Sequence, residues 1–308
     1  MHCVAEPLAD TTAATPVRWK GELKRLLYVA IAILLAIFLI RLGAEPWRQV
    51  AAHWPTMIAV AVVSALAMLL QAASFRTVLP DDGCRPGWLE LTRIWALSGA
   101  ISAVAPVFVG VGTRATLLVQ AGLTLGACVS TSARQAWLGL ESALLFAAVS
   151  VLLVQPPGAG WIAALLASAG VAMVAVRITA TRTEARRLPA RLRRWWDSLR
   201  APVGARAWLL FALQVPVMAA TYYAGYVGLG AAIGFEHAIL LATVTIMTSV
   251  VVFIPMGLGV LDALWVYAAT RAGLSLADSV ALAILLRTSY LSAAVFVAAL
   301  LSVLPRVR

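Results

Sequence analysis

Five ionisable side chains stand in otherwise apolar sequence: Arg114, Arg134, Glu141, Asp262 and Arg287. At membrane depth each such charge costs about 2.5–3.5 kcal/mol to insert, so each demands a partner or a wet cavity. Arg114 lies beside a glycine break. Its planar guanidinium suits the oxygens of a lipid phosphate, and equally a headgroup-level anchor in a loop. Arg287 falls about two turns into the last apolar run, too deep to snorkel, which favours an inward-facing functional role. Asp262 either caps the half-helix that follows it or pairs with an arginine. If the two breaks face each other across the midplane, Arg114 and Asp262 approach from opposite sides. Arg134 and Glu141 are two turns apart on one helix face and read as members of a buried polar network rather than as an acid and a base.

Glycines accompany these charges. Gly110 and Gly112 follow Pro106, and Gly257 and Gly259 follow Pro255, each pair spaced G-x-G. Small residues let helices pack closely. Beside a proline they also let the backbone open, and amides freed at a half-helix N-terminus suit an anionic headgroup. The candidate binding set is therefore Arg114, Arg287, Asp262, Gly112, Gly257, Gly259, Arg134 and Glu141. No metal, cofactor or nucleotide site is expected. His2, His53 and His237 all fall outside the apolar runs, and Cys3, Cys84 and Cys128 have no metal-ligand spacing. Asp81-Asp82 reads as a solvated turn, Glu236-His237 as an interfacial loop, and Tyr222 with Tyr226 as core packing.

The elements that must position these groups are membrane helices. Of 308 residues 62% are hydrophobic and 12% charged, about half the charged fraction of a soluble domain. A bilayer core takes about twenty apolar residues per helix. Six runs qualify: Leu26–Ile40, Trp54–Ala73, Ala136–Val154, Trp161–Val176, Ala207–Leu229 and Val280–Val303. Two more regions, Ile94–Ala133 and Ile239–Thr270, are apolar but broken by the prolines and glycines. The expected fold is all-α and polytopic: about six full spans plus two broken or re-entrant hairpins, eight or more hydrophobic segments in all. Arg18, Lys20, Lys24 and Arg25 lead into a full-length apolar run with no small-residue cleavage site, so the first span reads as uncleaved.

The 24 Lys+Arg against 13 Asp+Glu sit between apolar runs, where they orient helices and meet anionic headgroups; a nucleic-acid partner would need a basic face on a soluble fold. Nine arginines (Arg177, Arg182, Arg186, Arg187, Arg191, Arg193, Arg194, Arg200, Arg206) fill the one long polar stretch, with Trp195-Trp196 among them as in an interfacial amphipathic helix. The two broken regions are also alike. Ala121-Gly122-Leu123-Thr124-Leu125 matches Ala272-Gly273-Leu274-Ser275-Leu276, with a proline and G-x-G upstream and an arginine, Arg134 or Arg287, downstream. If each broken region enters and returns, residues 1–25, the Arg76–Arg93 loop, the 177–206 loop and the 304–308 tail are all cytoplasmic. Only Arg41, Arg48 and Arg271 are then outside. Repeat one, about 54–154, and repeat two, about 207–303, would be inverted within a single transmembrane domain, 26–303.

Pro255-Met256-Gly257-Leu258-Gly259-Val260-Leu261-Asp262, then Ala272-Gly273-Leu274-Ser275 and Leu286-Arg287, resembles the C-terminal signature of the lysylphosphatidylglycerol synthase transmembrane (flippase-like) family. That pattern runs roughly Pro-Gly-Gly-x-Gly-x-x-Glu, then Gly, then Leu-Leu-x-Arg; Met256 and Asp262 depart from it. Pro106, Gly112-Thr113-Arg114 and Gly122-Leu123 resemble the family's first signature, with a shorter Gly–Arg spacing. The resemblance implies a bacterial inner-membrane protein that moves or presents amphipathic lipids. Some members are fused to a soluble aminoacyl-transferase domain, and others are associated with hopanoid or polyprenyl-linked glycan pathways. The chain reaches Arg308 just past its last span, so aminoacylation of lipid is not expected of it.

The expected function is a lipid translocase or transport accessory, not an enzyme, for an anionic or polyprenyl/hopanoid-type lipid. It would alternate exposure of a midplane anion site formed by Arg114, Asp262 and Arg287. The alternatives are a membrane-embedded lipid-phosphate transferase and a non-transporting partner of a lipid-synthesis complex. Expected partners are membrane lipids, anionic headgroups at the basic loop, lipid-biosynthesis enzymes or further copies of the chain.

Overall fold

The computed structural model describes residues 45–79, 86–104, 107–182, 203–251 and 257–303. The chain divides into two compact units, 1–45 and 46–308, and the architecture below is that of the second. The Leu26–Ile40 run, Asp81-Asp82, Trp195-Trp196, the 304–308 tail and most of the basic loop lie outside the described residues.

The described residues form helices and no strand. They are α1 (Glu45–Ala52), α2 (Trp54–Val78), α3 (Trp88–Val104), α4 (Val107–Gln120), α5 (Leu125–Val154), α6 (Ala159–Arg182), α7 (Ala205–Gly228), α8 (Phe235–Val251), α9 (Gly257–Arg271) and α10 (Leu276–Val303). Within α2, α5, α6, α7 and α10 lie five segments long and apolar enough to cross a bilayer; the shortest, Ala159–Thr179, has 21 residues. At about 1.5 Å per residue that is roughly 32 Å, the thickness of a hydrocarbon core. The distribution of side chains agrees with this. Trp161, Leu165, Val171, Leu209 and Phe296 are exposed, whereas Glu141, Ser74, Thr92, Ser98 and Thr243 are wholly buried. A chain that puts apolar groups outside and polar groups inside is matched to lipid, and this one is an all-α polytopic membrane protein.

The two broken regions each form a pair of short helices, α3 with α4 and α8 with α9. These have 17, 14, 17 and 15 residues, or about 21–26 Å, less than a full crossing. The first region also ends earlier than Ala133. Thr124 Oγ1 accepts a hydrogen bond from the Ala127 amide at 3.1 Å, so α5 starts at Leu125 and runs unbroken for 30 residues.

The matched stretches have matched geometry. Gly122 (φ 99°) and Gly273 (φ 92°) both take the left-handed conformation that ends a helix without a Cβ penalty. The Leu123 amide returns to the Leu118 carbonyl, and the Leu274 amide to the Ala269 carbonyl, each at 3.1 Å. Ser275 then caps α10 as Thr124 caps α5, accepting from the Asp278 amide at 3.1 Å. This register corrects one sequence expectation. Arg134 lies 12 residues past Gly122 and Arg287 14 past Gly273, a two-residue offset that turns them about 200° apart on their helices. They are not equivalent; the counterpart of Arg114 is Trp265.

Packing links the halves rather than separating them. α2 lies on α7, α3 on α10, and α8 on α5, while α6 packs mainly on α5 at the periphery. Met68, Ala96, Ala293, Ala294 and Val297 form one such inter-half cluster, where small side chains let α2, α3 and α10 approach.

Candidate functional site

A cavity of about 260 Å³ lies where α2, α3, α7, α8, α9 and α10 converge. Ser64, Gln71 and Ser102 line it from the first half, and Thr221, Tyr222, Thr245, Trp265, Arg287 and Tyr290 from the second. Most of these groups are held by neighbours. Trp95 Nε1 donates to Gln71 Oε1 at 2.9 Å. The Tyr222 hydroxyl donates to Thr245 Oγ1 at 3.1 Å, and Thr245 donates to the Leu241 carbonyl. The Tyr226 hydroxyl donates to the Trp265 carbonyl at 2.8 Å and so fixes α9 against α7. The Tyr222 and Trp265 rings are 5.6 Å apart and tilted by 51°. Ser64 Oγ and Trp265 Nε1 are different: both are buried, belong to wall residues and have no hydrogen-bond partner.

Arg287 meets Asp262 through its fork, Nε to Oδ1 at 2.5 Å and Nη2 to Oδ2 at 2.7 Å. Asp262 is the sixth residue of α9, beyond the capping position, so of its two sequence readings the arginine partner is the one realised. Both side chains keep about a quarter of their surface open, 25% and 27%. The Arg287 guanidinium also lies 5.8 Å from the Trp265 ring centre.

Arg114 does not meet Asp262, contrary to expectation. Its guanidinium carbon lies 3.9 Å over the Trp95 ring and its Nε donates to Ser98 Oγ at 3.2 Å. The cause is the α3–α4 contact. A Cβ on Gly110 would run into Ser102 Oγ and come within 2.8 Å of the Ser98 carbonyl, so this glycine lets α4 lie directly on α3. Arg114, one turn further on the same face, then lays its guanidinium on α3, with Tyr290 of α10 within electrostatic range. It stands off the cavity wall, linked to it through Trp95 and Gln71.

The remaining expected residues lie elsewhere. Gly112 is exposed, with open space around it. Gly257 and Gly259 belong to the first turn of α9, and their surroundings lie outside the described residues. Buried Arg134 donates from Nη1 to the Val78 carbonyl at 3.0 Å, at the C-terminal end of α2. Glu141 is wholly buried and accepts from Arg177 Nε and Nη2 at 3.1 and 3.0 Å and from Trp208 Nε1 at 3.3 Å. This second polar cluster joins α5, α6 and α7. Arg177 is therefore a helix residue with a carboxylate partner and not part of a loop, because α6 continues to Arg182. Glu236 and His237 pair at 3.2 Å in the first turn of α8, not in a loop.

Several wall residues escape sequence reasoning. Gln71 was detectable as an amide inside an apolar run. Tyr222 reads as core and is indeed buried, yet it faces the cavity. Thr221 and Ser102 carry no signal, because each satisfies its hydroxyl on the carbonyl one turn earlier and so sits in an apolar helix at little cost.

The arrangement is an amphiphilic chamber in a lipid-facing bundle, with aromatic faces, hydroxyls, an amide and one internally neutralised ion pair. A family model described as the lysylphosphatidylglycerol synthase TM region matches residues 25–300. No curated protein matches the chain.

Proposed function

Given that this chain belongs to the lysylphosphatidylglycerol synthase transmembrane family, a family of membrane proteins linked to lipid handling, we propose that it is a lipid translocase or lipid-transport accessory of a bacterial inner membrane. The observation that carries the reading is the cavity: polar groups from both halves meet inside a bundle whose outside is apolar. Such a chamber takes a lipid headgroup while the acyl chains stay in the bilayer. Helices of both broken regions, α3 from the first and α8 and α9 from the second, line it, as interrupted helices line the sites of transporters built from inverted repeats. The matched Gly122 and Gly273 turns and the crossed packing of α3 on α10 and α8 on α5 support an inverted repeat here. In this reading Arg287, Asp262 and the wall hydroxyls orient the headgroup and no covalent chemistry occurs. Energy comes from a gradient or from consumption of the lipid on the far side.

Protein reconstituted in vesicles should speed the transbilayer movement of a headgroup-labelled lipid by about tenfold or more, measured by quenching from outside. Ala67→Trp, which fills the cavity, should abolish that gain while leaving the protein folded. Equal rates with and without Ala67→Trp would remove the cavity from the mechanism.

The orientation that follows puts both termini and the basic loop in the cytoplasm. Single cysteines at positions 158 and 198, in a background without Cys3, Cys84 and Cys128, should behave oppositely toward an impermeant thiol reagent on intact cells. Position 158 should label and position 198 should not. Labelling at 198 would invert the orientation and break the parity argument for the inverted repeat.

A further inference from the structure

Resting on the cavity reading above, we propose that the headgroup this chamber accepts is an uncharged polyol about the size of one sugar ring.

Charge is the first ground. Arg287 is the one charged residue on the described wall, and Asp262 already holds its fork. The remaining polar wall groups are hydroxyls, the Gln71 amide and the Trp265 indole. Arg114 is off the wall, stacked on Trp95 and bonded to Ser98. A phosphate entering here would shed its hydration without a free countercharge among the described wall residues, which is costly, whereas hydroxyls exchange water for wall hydrogen bonds.

Shape and chemistry are the second. A sugar ring has an apolar C–H face and a rim of hydroxyls. The aromatic rings of Trp265, Tyr222 and Tyr290 suit the former, and the planar groups of Gln71 and Arg287 offer acceptors and donors for the latter. The 260 Å³ of space equals roughly eight or nine waters of liquid volume, enough for one ring and its hydroxyls.

Ser64 is the third. Its hydroxyl is 98% buried, on the wall, and without a partner. A buried polar group left unsatisfied is destabilising; Thr131, Ser142 and Ser289 are also unpartnered, but of these hydroxyls Ser64 alone belongs to the cavity wall, where a ligand can supply the partner.

The test uses the full chain in phosphatidylcholine nanodiscs, native cysteines replaced by alanine, with Ala67→Cys as a reporter on the cavity wall. Methyl methanethiosulfonate labelling at 67 is timed against dodecyl glucoside and against dodecyl phosphate, which share one tail. Dodecyl glucoside should slow labelling at about tenfold lower concentration than dodecyl phosphate. Ser64→Ala should weaken that protection roughly three- to tenfold, the loss of one neutral hydrogen bond. The same change should leave the thermal midpoint equal or higher, which a merely structural serine would not do. If dodecyl phosphate protects at equal or lower concentration, the polyol inference fails and the cavity reading stands. Protection by glucoside that Ser64→Ala does not alter also overturns it. Protection by neither removes the cavity reading and this inference together.

Discussion

Asp262→Ala and Arg287→Ala should each lower the thermal stability of the detergent-solubilised protein by about 2–3 kcal/mol, and the double substitution should recover most of that loss. Removing one member of a sealed ion pair costs about 3–5 kcal/mol, because the survivor stays behind as an uncompensated charge. Here about a quarter of each side chain is exposed, so water screens part of the penalty and the lower range applies. The 2.5 and 2.7 Å contacts use two nitrogens of one fork, so Arg287→Lys should fall between wild type and alanine. A double-mutant cycle on thermal unfolding decides the matter. Coupling of more than about 1 kcal/mol is expected between 262 and 287, and near-additivity between 262 and 114, because Arg114 bonds to α3. Additive losses at 262 and 287 would show that the pair does not hold in solution. Lipid movement should remain lost in the double variant even where stability returns, because the wall has lost Arg287 and the carboxylate that holds its fork.

Glu141→Leu should be more damaging, at about 3–5 kcal/mol, with little folded protein recovered. Glu141 is completely buried, and Arg177, 15% exposed, has almost no water to fall back on. The same substitution strands Trp208 Nε1. Glu141→Leu combined with Arg177→Leu should restore folding nearly to wild type, since an apolar pair suits a helix contact in a membrane bundle. Its lipid movement should match wild type, because the cluster on α5, α6 and α7 lies away from the cavity. If the double change folds but moves no lipid, the cluster is part of the translocation path.

The sequence makes the membrane class plain because lipid imposes a length and a polarity that few soluble elements share. Four of the five spanning helices begin or end within a few residues of their apolar runs. α5 departs by eleven residues at its start, because the Thr124 cap extends a helix across sequence whose Gly/Cys/Ser/Thr composition looks broken. The site is only partly legible. Arg287 and Asp262 stand out because a charge in an apolar run is costly, and they do face the cavity as a pair. Arg114 stands out for the same reason, yet its contact depends on how closely Gly110 lets α4 approach α3, which no spacing rule encodes. Glu141 shows only a same-face neighbour in Arg134; its true partner, Arg177, lies 36 residues away and looks like part of a basic loop. The hydroxyl of Thr245 is invisible because it bonds to the carbonyl one turn earlier and so sits in an apolar helix at little cost, and that of Ser64 because no spacing marks a serine left without such a bond.

The crossed packing of the two halves has a consequence for biosynthesis. α3 finds its buried contacts on α10, which leaves the ribosome some 170 residues later. At about 5–20 residues per second that is an interval on the order of ten seconds or more. During it Met68 and Ala96 have no Ala293, Ala294 or Val297 to pack against. The first half must therefore wait in the bilayer as an incompletely packed intermediate, its polar wall groups facing lipid or an insertion factor. The chamber closes only when α10 packs against both α2 and α3, so the last of the described helices to be made completes the site.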